Sequence, residues 1–329
     1  MTMNDDYEPY IGRQLGYQDI MLEPRYSECR TRSDIDLTTK FGDYEFKSPI
    51  VPANMKTVIN TELAHELALR GYFYIMHRFG VDSFEFVKNC YDKALISSIS
   101  VGVNDVDREL IDKLSIQNLQ PNYITIDIAH GYSLHMVEMI EYIKDRFQNT
   151  FVIAGNVCDA SAVKYLYDKG ADAVKVGVGP GHACTTRQQT GFFRPQFSAV
   201  LECCDNSGGW VPPGVPIVAD GGIEYNGDIA KAMVAGAHMV MCGHLLAAHD
   251  ESPGDVINGP DGYVKEYYGS ASEHNSGMKK HIEGKRMYIQ TRGSIWNSYD
   301  MIEESLRSSC SYAGVERPAQ LKGNPWRII

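Results

Sequence analysis

Several features that would assign the chain to a membrane, export or metal-binding class are missing from its 329 residues. No apolar run approaches the roughly 20 residues that a membrane-spanning helix requires. The first residues, MTMNDDYEPYIGRQ, are acidic and polar, and they lack the basic start and apolar stretch of a secretory signal peptide. We therefore expect no membrane partner and a cytoplasmic location.

Positive charge is also scarce, because 31 lysines and arginines stand against 42 aspartates and glutamates, which gives a formal net charge of −11. Such an acidic surface repels polyphosphates, so a nucleic acid is not an expected partner, although a local pocket can still bind a small anion. The eight cysteines are scattered, without a C-x-x-C pair or a Cys/His metal spacing. In a reducing cytosol we expect free thiols, most of them buried as small apolar residues.

Short runs rich in β-branched residues recur along the chain and alternate with segments of helical spacing. Eight runs are predicted to be strands: PIVPA (49–53), YFYIM (72–76), ISSISV (96–101), YITIDIA (123–129), FVIAGNV (151–157), AVKVGVG (173–179), PIVADGG (216–222) and HMVMCG (238–243). They are almost continuously apolar, as expected of parallel strands covered by helices. Eight such units over roughly 250 residues favour an α/β fold of the (β/α)8 TIM-barrel type over an open doubly wound sheet.

We expect one barrel domain over residues 1–329, elaborated near its C-terminus. The segment DESPGDVINGPDGYVKEYYGSASEHNSG is typical of a β-hairpin followed by a loop, and SYDMIEESLRSSCSYAG of a final helix. The flap and active-site loop are predicted to span about 250–295.

The stretch KVGVGPGHACTTRQQTG, Lys175 to Gly191, carries the strongest signal for chemistry. In TIM barrels the reactive residues lie at the C-terminal ends of the strands. Cys184 follows the glycine loop of the sixth strand, where loop amides and Arg187 favour a thiolate that can add to an electron-poor ring carbon. Thr186 can relay a proton if a carboxylate lies nearby, and Glu283 in HIEGKRM is a candidate. A buried cysteine beside a tight turn is the alternative.

Two further loops resemble phosphate sites, since ADGG (219–222) closes the seventh strand and MCGH (241–244) closes the eighth. A nucleotide monophosphate or a sugar phosphate is the expected ligand, with Asp220 beside the ribose. Asp127 and Arg78 end other strands and are candidates for contact with a ribose or nicotinamide and with a cofactor phosphate, respectively. A helix N-cap or turn role stays open for Asp127 and Asp220, and contact with a surface acid stays open for Arg78. Because no G-x-G-x-x-G follows a strand, a nicotinamide cofactor would lie across the barrel mouth rather than in a Rossmann site.

Taken together, six blocks resemble the family of IMP dehydrogenases and GMP reductases: KVGVGPGHACTTR, ADGGI…GDIAKAMVAGAHMVMCG, ESPG, KEYYGSASE, IEGKRM and LRSSCSYAG. The resemblance extends from about Asp19 to Ala313, and the later blocks are similar to those of bacterial-type GMP reductases. Only about twenty residues separate Met76 from Ile96, too few for the CBS-type insert usual in IMP dehydrogenases. The Arg-Tyr pair that activates water in those enzymes is also missing between Gly269 and Glu283. Both absences favour the reductase branch.

The resemblance implies an NADPH-dependent oxidoreductase that converts GMP to IMP and ammonia in purine nucleotide salvage. It implies that Cys184 forms a covalent thioimidate at the purine C2, and that Thr186 and Glu283 protonate the leaving amino group, which departs as ammonia. The implied nucleotide-binding residues are Met55, Asp220, Gly221, Gly222, Gly243, His244, Gly269, Ser270, Ala271 and Gly284. The implied cofactor-binding residues are Thr31, Arg32, Arg78, Asp127, Ile128, Ala129, Ser309, Cys310, Ser311 and Tyr312. A potassium ion is implied at Gly179, Gly181, Cys184 and Arg187. A homotetramer is also implied, because barrels of this family usually form tetramers.

Three alternatives stay open at the level of sequence. The chain can be an IMP dehydrogenase that makes XMP and NADH from IMP, NAD⁺ and water, with other residues activating the water. It can be a purine-nucleotide-binding barrel without turnover, in which Cys184 is structural or a redox sensor. It can also be a reductase of a modified purine nucleotide. His182 and His244 depart from the family pattern, because relatives carry a smaller residue or lysine at the first position and glycine or serine at the second.

Overall fold

The structure is a computed structural model, and it describes residues 13–205, 211–260, 262–269 and 284–329. Its strands are β1 (Ile20–Leu22), β2 (Thr39–Phe41), β3 (Tyr44–Phe46), β4 (Ile50–Pro52), β5 (Ser98–Val101), β6 (Tyr123–Asp127), β7 (Phe151–Val157), β8 (Ala173–Val176), β9 (Ile217–Asp220), β10 (Met239–Cys242), β11 (Ile257–Gly259), β12 (Gly262–Tyr268), β13 (Arg286–Gln290) and β14 (Trp326–Ile328). Its α-helices are α1 (Thr61–Leu69), α2 (Ser83–Asp92), α3 (Asp105–Ile116), α4 (Leu134–Arg146), α5 (Ala160–Asp168), α6 (Thr186–Thr190), α7 (Gln196–Cys204), α8 (Asn226–Ala235) and α9 (Ile295–Ala313).

A curled, parallel seven-stranded sheet forms the centre, in the spatial order β4-β10-β9-β8-β7-β6-β5. Each step from β5 to β10 follows chain order with a helix between strands, which is the (β/α)8 arrangement. The prediction of an α/β TIM barrel is confirmed. The residues of these seven strands are almost all buried, as the continuous apolar runs indicated, because helices cover the outside of the sheet and side chains fill the inside.

The second predicted strand, residues 72–76, is the exception. Only Met76 forms a β-bridge, to Ile99, with its N–H donating to the carbonyl of Ser98 at 3.0 Å. The start of the segment is held elsewhere, since the Tyr72 N–H donates to the carbonyl of Leu67 at the end of α1. The prediction of a full strand here is wrong, although the segment still lies beside β5, where the second barrel strand belongs.

Local sequence signals explain where the helices begin and end. Side-chain oxygens of Asn60, Asp82, Ser133 and Asp159 accept backbone N–H groups at the starts of α1, α2, α4 and α5.

Between Met76 and β5 the chain holds one helix, α2, so the predicted lack of an inserted module is confirmed.

Two small sheets complete the fold around the barrel. Strands β11, β12 and β13 form an antiparallel sheet, which confirms the predicted hairpin, and β1 pairs antiparallel with β14. In the described part of the chain, no helix combines the length and apolar character needed to cross a membrane.

Candidate active site

The cysteine loop, residues 177–191, follows β8 at the mouth of the barrel and carries the predicted nucleophile. Cys184 is half-buried, and its Sγ lies 3.2 Å from the Oγ1 of Thr186. The Cys184 N–H donates to the carbonyl of Gly181 at 2.9 Å, and Thr186 is the first residue of α6. The structure thus brings together the thiol predicted to attack the purine and the hydroxyl predicted to relay a proton.

The hairpin of β12 and β13 contacts this loop through the end at which β12 finishes and β13 begins. Cys184 forms an antiparallel bridge with Gly284, and the next residue, Lys285, donates its N–H to the carbonyl of Ala183 at 2.9 Å. A Cβ on Gly269 would lie 3.3 Å from the Cα of Gly284, so the two ends of the hairpin meet beside the thiol. Three residues assigned to the site lie outside the described residues: Ser270, Ala271 and Glu283.

A pocket beside the thiol, which we call the glycine pocket, is formed by loops that follow β4, β8, β9 and β10. A Cβ on Gly221, whose φ is +92°, would lie 3.0 Å from Pro180 Cγ, and a Cβ on Gly243 would lie 2.7 Å from the Tyr267 hydroxyl. A side chain would be strained at Gly221 and would displace the Tyr267 hydroxyl at Gly243, so glycine suits both positions, and glycine-rich turns of this kind can present backbone N–H groups to an anion. The predicted nucleotide residues that line the pocket are Met55, Asp220, Gly221, Gly222, Gly243 and His244.

Two imidazoles lie at the edge of the glycine pocket. The rings of His182 and His244 have centroids 4.4 Å apart. Arg292 donates to the carbonyl of His244 at 2.7 Å, and its other terminal nitrogen lies 3.5 Å from the His244 Nδ1. Burial, the Arg292 charge and His182 together lower the pKa of His244 to about 4, so this ring is neutral near pH 7. The departures from the family pattern at these two positions thus contact each other.

A buried cluster of charged and amide side chains lies at the carboxyl ends of the strands, and we call it the strand-end cluster. Lys175 on β8 is 2% exposed, and its Nζ lies 2.9 Å from Asp127 Oδ1 and 2.7 Å from Asp220 Oδ2. Asn54 donates to Asp127 at 2.9 Å, and Asn156 donates to Asp220 at 2.9 Å. The two carboxylates predicted to contact the cofactor and the ribose are therefore joined through one ammonium group.

The charges in the strand-end cluster stabilise each other. Burial acts to raise the pKa of Asp127, but Lys175 and the donated hydrogen bonds outweigh it, so this pKa is lowered. Burial acts to lower the pKa of Lys175, but Asp127 and Asp220 outweigh it, so this pKa is raised. Both groups are consequently charged over the neutral range, and the cluster carries fixed charge into the barrel mouth.

The predicted cofactor residues form two groups. Arg78 lies near Asp127, whose pKa its charge helps to lower, and the Arg78 Nε is buried without a hydrogen-bond partner in the described structure. Ile128 and Ala129 follow Asp127 directly. In the second group, the turn that begins after Thr31 packs against α9, and the N–H of Arg25 donates to the carbonyl of Tyr312 at 2.8 Å. That group comprises Thr31, Arg32, Ser309, Cys310, Ser311 and Tyr312.

The predicted cation loop is compact. The carbonyl of Gly181 accepts the Cys184 N–H, and the carbonyl of Arg187 accepts the Gly191 N–H at 3.2 Å. Gly179 has a φ of +84°, and a Cβ there would lie 2.9 Å from the ring of Phe193. Each carbonyl oxygen keeps a second lone pair. Among the residues that the structure describes, no group of three or more His, Cys, Asp or Glu side chains is arranged for a metal ion.

Five residues of the site were missed from the sequence: Asn54, Asn156, Lys175, Tyr267 and Arg292. A signal existed for Lys175, since a lysine in the middle of the apolar run AVKVGVG must have buried partners. Asn54 in PANM and Asn156 in AGNV likewise stand at strand ends. Tyr267 and Arg292 had no such signal, because the hairpin positions them against the glycine pocket only in three dimensions.

Comparisons with known proteins agree with this arrangement. A sequence profile described as "IMP dehydrogenase / GMP reductase domain" matches residues 14–326. A protein named GMP reductase from Mesoplasma florum is 48% identical over 301 residues, covering 91% of this chain and 92% of the relative. GMP reductases from Lactobacillus acidophilus and Bacillus licheniformis are each 47% identical, over 91% and 95% of this chain and 89% and 95% of the relatives. With this coverage and a cysteine loop beside a glycine pocket, the chain belongs to the IMP dehydrogenase/GMP reductase family.

Proposed function

We propose that the protein is a GMP reductase, which uses NADPH to convert GMP to IMP and ammonia in purine nucleotide salvage. The observation that carries the proposal is the Cys184 thiol, 3.2 Å from the Thr186 hydroxyl and beside the glycine pocket. This arrangement supports the proposal, because a thiol that can act as a nucleophile, a hydroxyl that can relay a proton and glycines that suit a phosphate lie together at one barrel mouth. The names of the relatives support the same reaction.

In the proposed complex the nucleotide spans the glycine pocket and the thiol. The phosphate binds the backbone of Gly221, Gly222 and Gly243 with His244, while Asp220 accepts hydrogen bonds from the ribose hydroxyls. Among the described residues, the Oδ1 of Asp220 accepts no hydrogen bond from the protein, so one carboxylate oxygen remains for the ribose. Met55 packs against the purine, and the ends of the hairpin complete the enclosure through Gly269, Ser270, Ala271 and Gly284.

The chemistry begins when the Cys184 thiolate adds to C2 of the purine. The exocyclic amino group is protonated through Thr186 and Glu283 and leaves as ammonia, which gives the covalent thioimidate. When bound, NADPH supplies the hydride that reduces C2, after which the C2–S bond breaks and Cys184 regains its thiolate. In sum, GMP, NADPH and two protons give IMP, NADP⁺ and ammonium.

The residues present fit a nicotinamide cofactor at the barrel mouth. Arg78 offers a buried, unpartnered Nε within the described structure, and the nearby Asp127 carboxylate is fixed and ionised. We assign this group, with Ile128 and Ala129, to the nicotinamide end. The second group, Thr31, Arg32 and Ser309 to Tyr312, is assigned to the remainder of the cofactor. Its arginine provides a cation for a phosphate.

We further propose a potassium ion at the carbonyl oxygens of Gly179, Gly181, Cys184 and Arg187. Carbonyl oxygens suit a hard cation, and the ion would hold the cysteine loop in one conformation.

We also propose that residues 1–329 act as a single barrel domain, that four copies assemble as a homotetramer, and that the enzyme works in the cytoplasm. Light scattering of the purified protein tests the tetramer.

The test of the function is an assay with GMP and NADPH that follows both nicotinamide absorbance and ammonia. We expect one ammonia per NADPH oxidised, and we expect Cys184→Ala to reduce turnover by roughly 10³-fold or more. Cys158→Ala is the matched control, because that thiol is also half-buried at a strand end and has no part in the reaction. NADH formation from IMP and NAD⁺ without GMP turnover would instead identify a dehydrogenase. No turnover in either direction would favour a binding protein or a modified substrate.

A further inference from the structure

Lys175 takes no part in the reaction proposed above, yet the fold makes room for it. It lies on β8 with 2% of its surface exposed, and the other three residues of that strand are buried and apolar. Burying an ammonium group costs several kcal/mol unless partners compensate, and an apolar side chain at such a site is often as stable or more so. Stability alone therefore does not account for a lysine here.

The sheet places the lysine between two strands that carry different ligand contacts. Asp220 ends the adjacent strand β9, whereas Asp127 ends β6, which is separated from β8 by β7. The residue of β7 in register with Lys175 is Gly155, and a Cβ there would lie 2.6 Å from the Lys175 Cβ. A glycine on the intervening strand thus leaves the space that the lysine side chain occupies as it reaches Asp127.

The other hydrogen bonds fix both carboxylates without satisfying them fully. Asp127 Oδ2 accepts from Asn54, and Asp220 Oδ2 accepts from both Lys175 and Asn156. Asn54 is fixed in turn by Ser100, whose Oγ lies 3.0 Å from the Asn54 Nδ2. A displacement of one carboxylate consequently moves the ammonium group that holds the other.

We propose that Lys175 is a positioning residue that couples the cofactor site to the nucleotide site. It holds Asp127, assigned to the cofactor, and Asp220, assigned to the ribose, in one fixed arrangement, so that each ligand binds more tightly when the other is present. This inference rests on the proposed function, because that function assigns the two carboxylates to their ligands.

The test compares Lys175→Met with the wild type by calorimetry, using GMP and NADP⁺, a pair that cannot react. We expect the wild type to bind each ligand several-fold more tightly in the presence of the other, and Lys175→Met to lose this coupling and to weaken both affinities by roughly tenfold or more. With the ammonium removed, the buried Asp127 loses the positive charge that holds its pKa low, so this carboxylate takes up a proton at a higher pH. The pH profile of kcat/KM should then gain an ionisation that the wild type lacks.

Lys231→Met is the matched control, since Lys231 is also buried and pairs with a carboxylate, Asp228, but lies on α8 outside the barrel mouth. We expect it to lower the Tm while leaving the coupling and the pH profile unchanged. A folded Lys175→Met protein with wild-type coupling and pH profile overturns the inference, whereas a wild type that does not turn over GMP overturns the proposed function instead.

A second variant covers the case in which Lys175→Met does not fold. Asp127→Asn keeps the shape of the side chain and the lysine but removes one of the two charges. If Lys175 couples the sites, this change at the cofactor side alters the Kd for GMP several-fold with no cofactor present. An unchanged Kd for GMP overturns the proposal.

Discussion

The cysteine loop and the strand-end cluster face the same barrel mouth but are built in opposite ways. Cys184 is half-buried on a loop, and its described contacts are a local turn, one hydroxyl and a bridge to the hairpin. Lys175 is fully buried on a strand and is held by charges from two other strands. The proposed nucleophile therefore lies on a loop, while the groups proposed to orient the ligands lie on the sheet. Changes in the loop should therefore affect kcat with little loss of stability, and changes near the strand ends should affect stability and binding.

The largest expected effect is in the loop. Thr186→Val keeps the shape of the side chain but removes the hydroxyl 3.2 Å from the Cys184 Sγ, so kcat should fall by roughly 10²–10⁴-fold. The Tm and the Kd for GMP should change little, as measured by thermal unfolding and calorimetry. Thr190→Val, in the same short helix, is the control and should keep most of its activity. A Thr186→Val enzyme with normal kcat would contradict the proton relay.

The next effect concerns acid stability near the strand ends. His77 is 4% exposed, and burial followed by the Lys56 charge lowers its pKa to about 4 from an unfolded value of about 6.5. Between these pH values the unfolded chain binds more protons than the folded one, so stability is lost as the pH falls through this window. Urea unfolding at pH 7 and pH 4.5 should show a loss from this group of about 2 kcal/mol.

The variant His77→Asn isolates the contribution of that histidine. It retains an acceptor where the Nδ1 of His77 accepts the Phe79 N–H, but it cannot take up a proton. The difference in unfolding free energy between the two pH values should be smaller in the variant than in the wild type. An identical pH dependence in both proteins would exclude His77 as a source of the acid sensitivity.

A smaller effect is expected in the glycine pocket. Gly221→Ala adds a Cβ 3.1 Å from the backbone nitrogen of Gly181 at a φ of +92°, so the phosphate site must shift. We expect the KM for GMP to rise roughly tenfold and the unfolding free energy to fall by about 1 kcal/mol. Gly214→Ala is the control, because its φ is +84° but no atom lies within 4 Å of the added Cβ. It should show the same loss of stability with an unchanged KM.

The smallest expected effect comes from replacing the cation. At constant ionic strength, exchange of potassium for tetramethylammonium should reduce turnover several-fold, because the cysteine loop loses the ion proposed to order it. The Kd for GMP should change less than kcat. Equal activity in both salts would remove the cation from the proposal and leave the loop held by its own hydrogen bonds.

The sequence predicted the parts of the fold that local patterns determine. The run FVIAGNV (151–157) became β7 with the same bounds, since its apolar residues and flanking turns define the strand without help from elsewhere. The run YFYIM (72–76) has the same apolar pattern but does not form a strand, because the Tyr72 N–H donates to the carbonyl of Leu67 at the end of α1. Whether a run pairs along its whole length depends on contacts that the run itself does not encode.

The candidate site divides in the same way. The proximity of Cys184 and Thr186 follows from their spacing in one loop, and the glycine pocket follows from the order of strands in a TIM barrel. The role of Lys175 does not follow from the sequence, because its partners lie on strands 45 and 48 residues away, and only the register past Gly155 brings them together. The roles of Ser270, Ala271 and Glu283 remain predictions, because these residues lie outside the described part of the chain.

The pairing of β1 with β14 has a consequence for how the protein is made. Ile20 lies opposite Ile328, so β1 has no partner strand in this sheet until the residues of β14 have been synthesised. All the strands of the barrel sheet lie between β1 and β14 in the chain, so this closing pair of strands forms after they have left the ribosome. Until then the nascent chain carries an unpaired strand edge, the kind of surface that promotes aggregation.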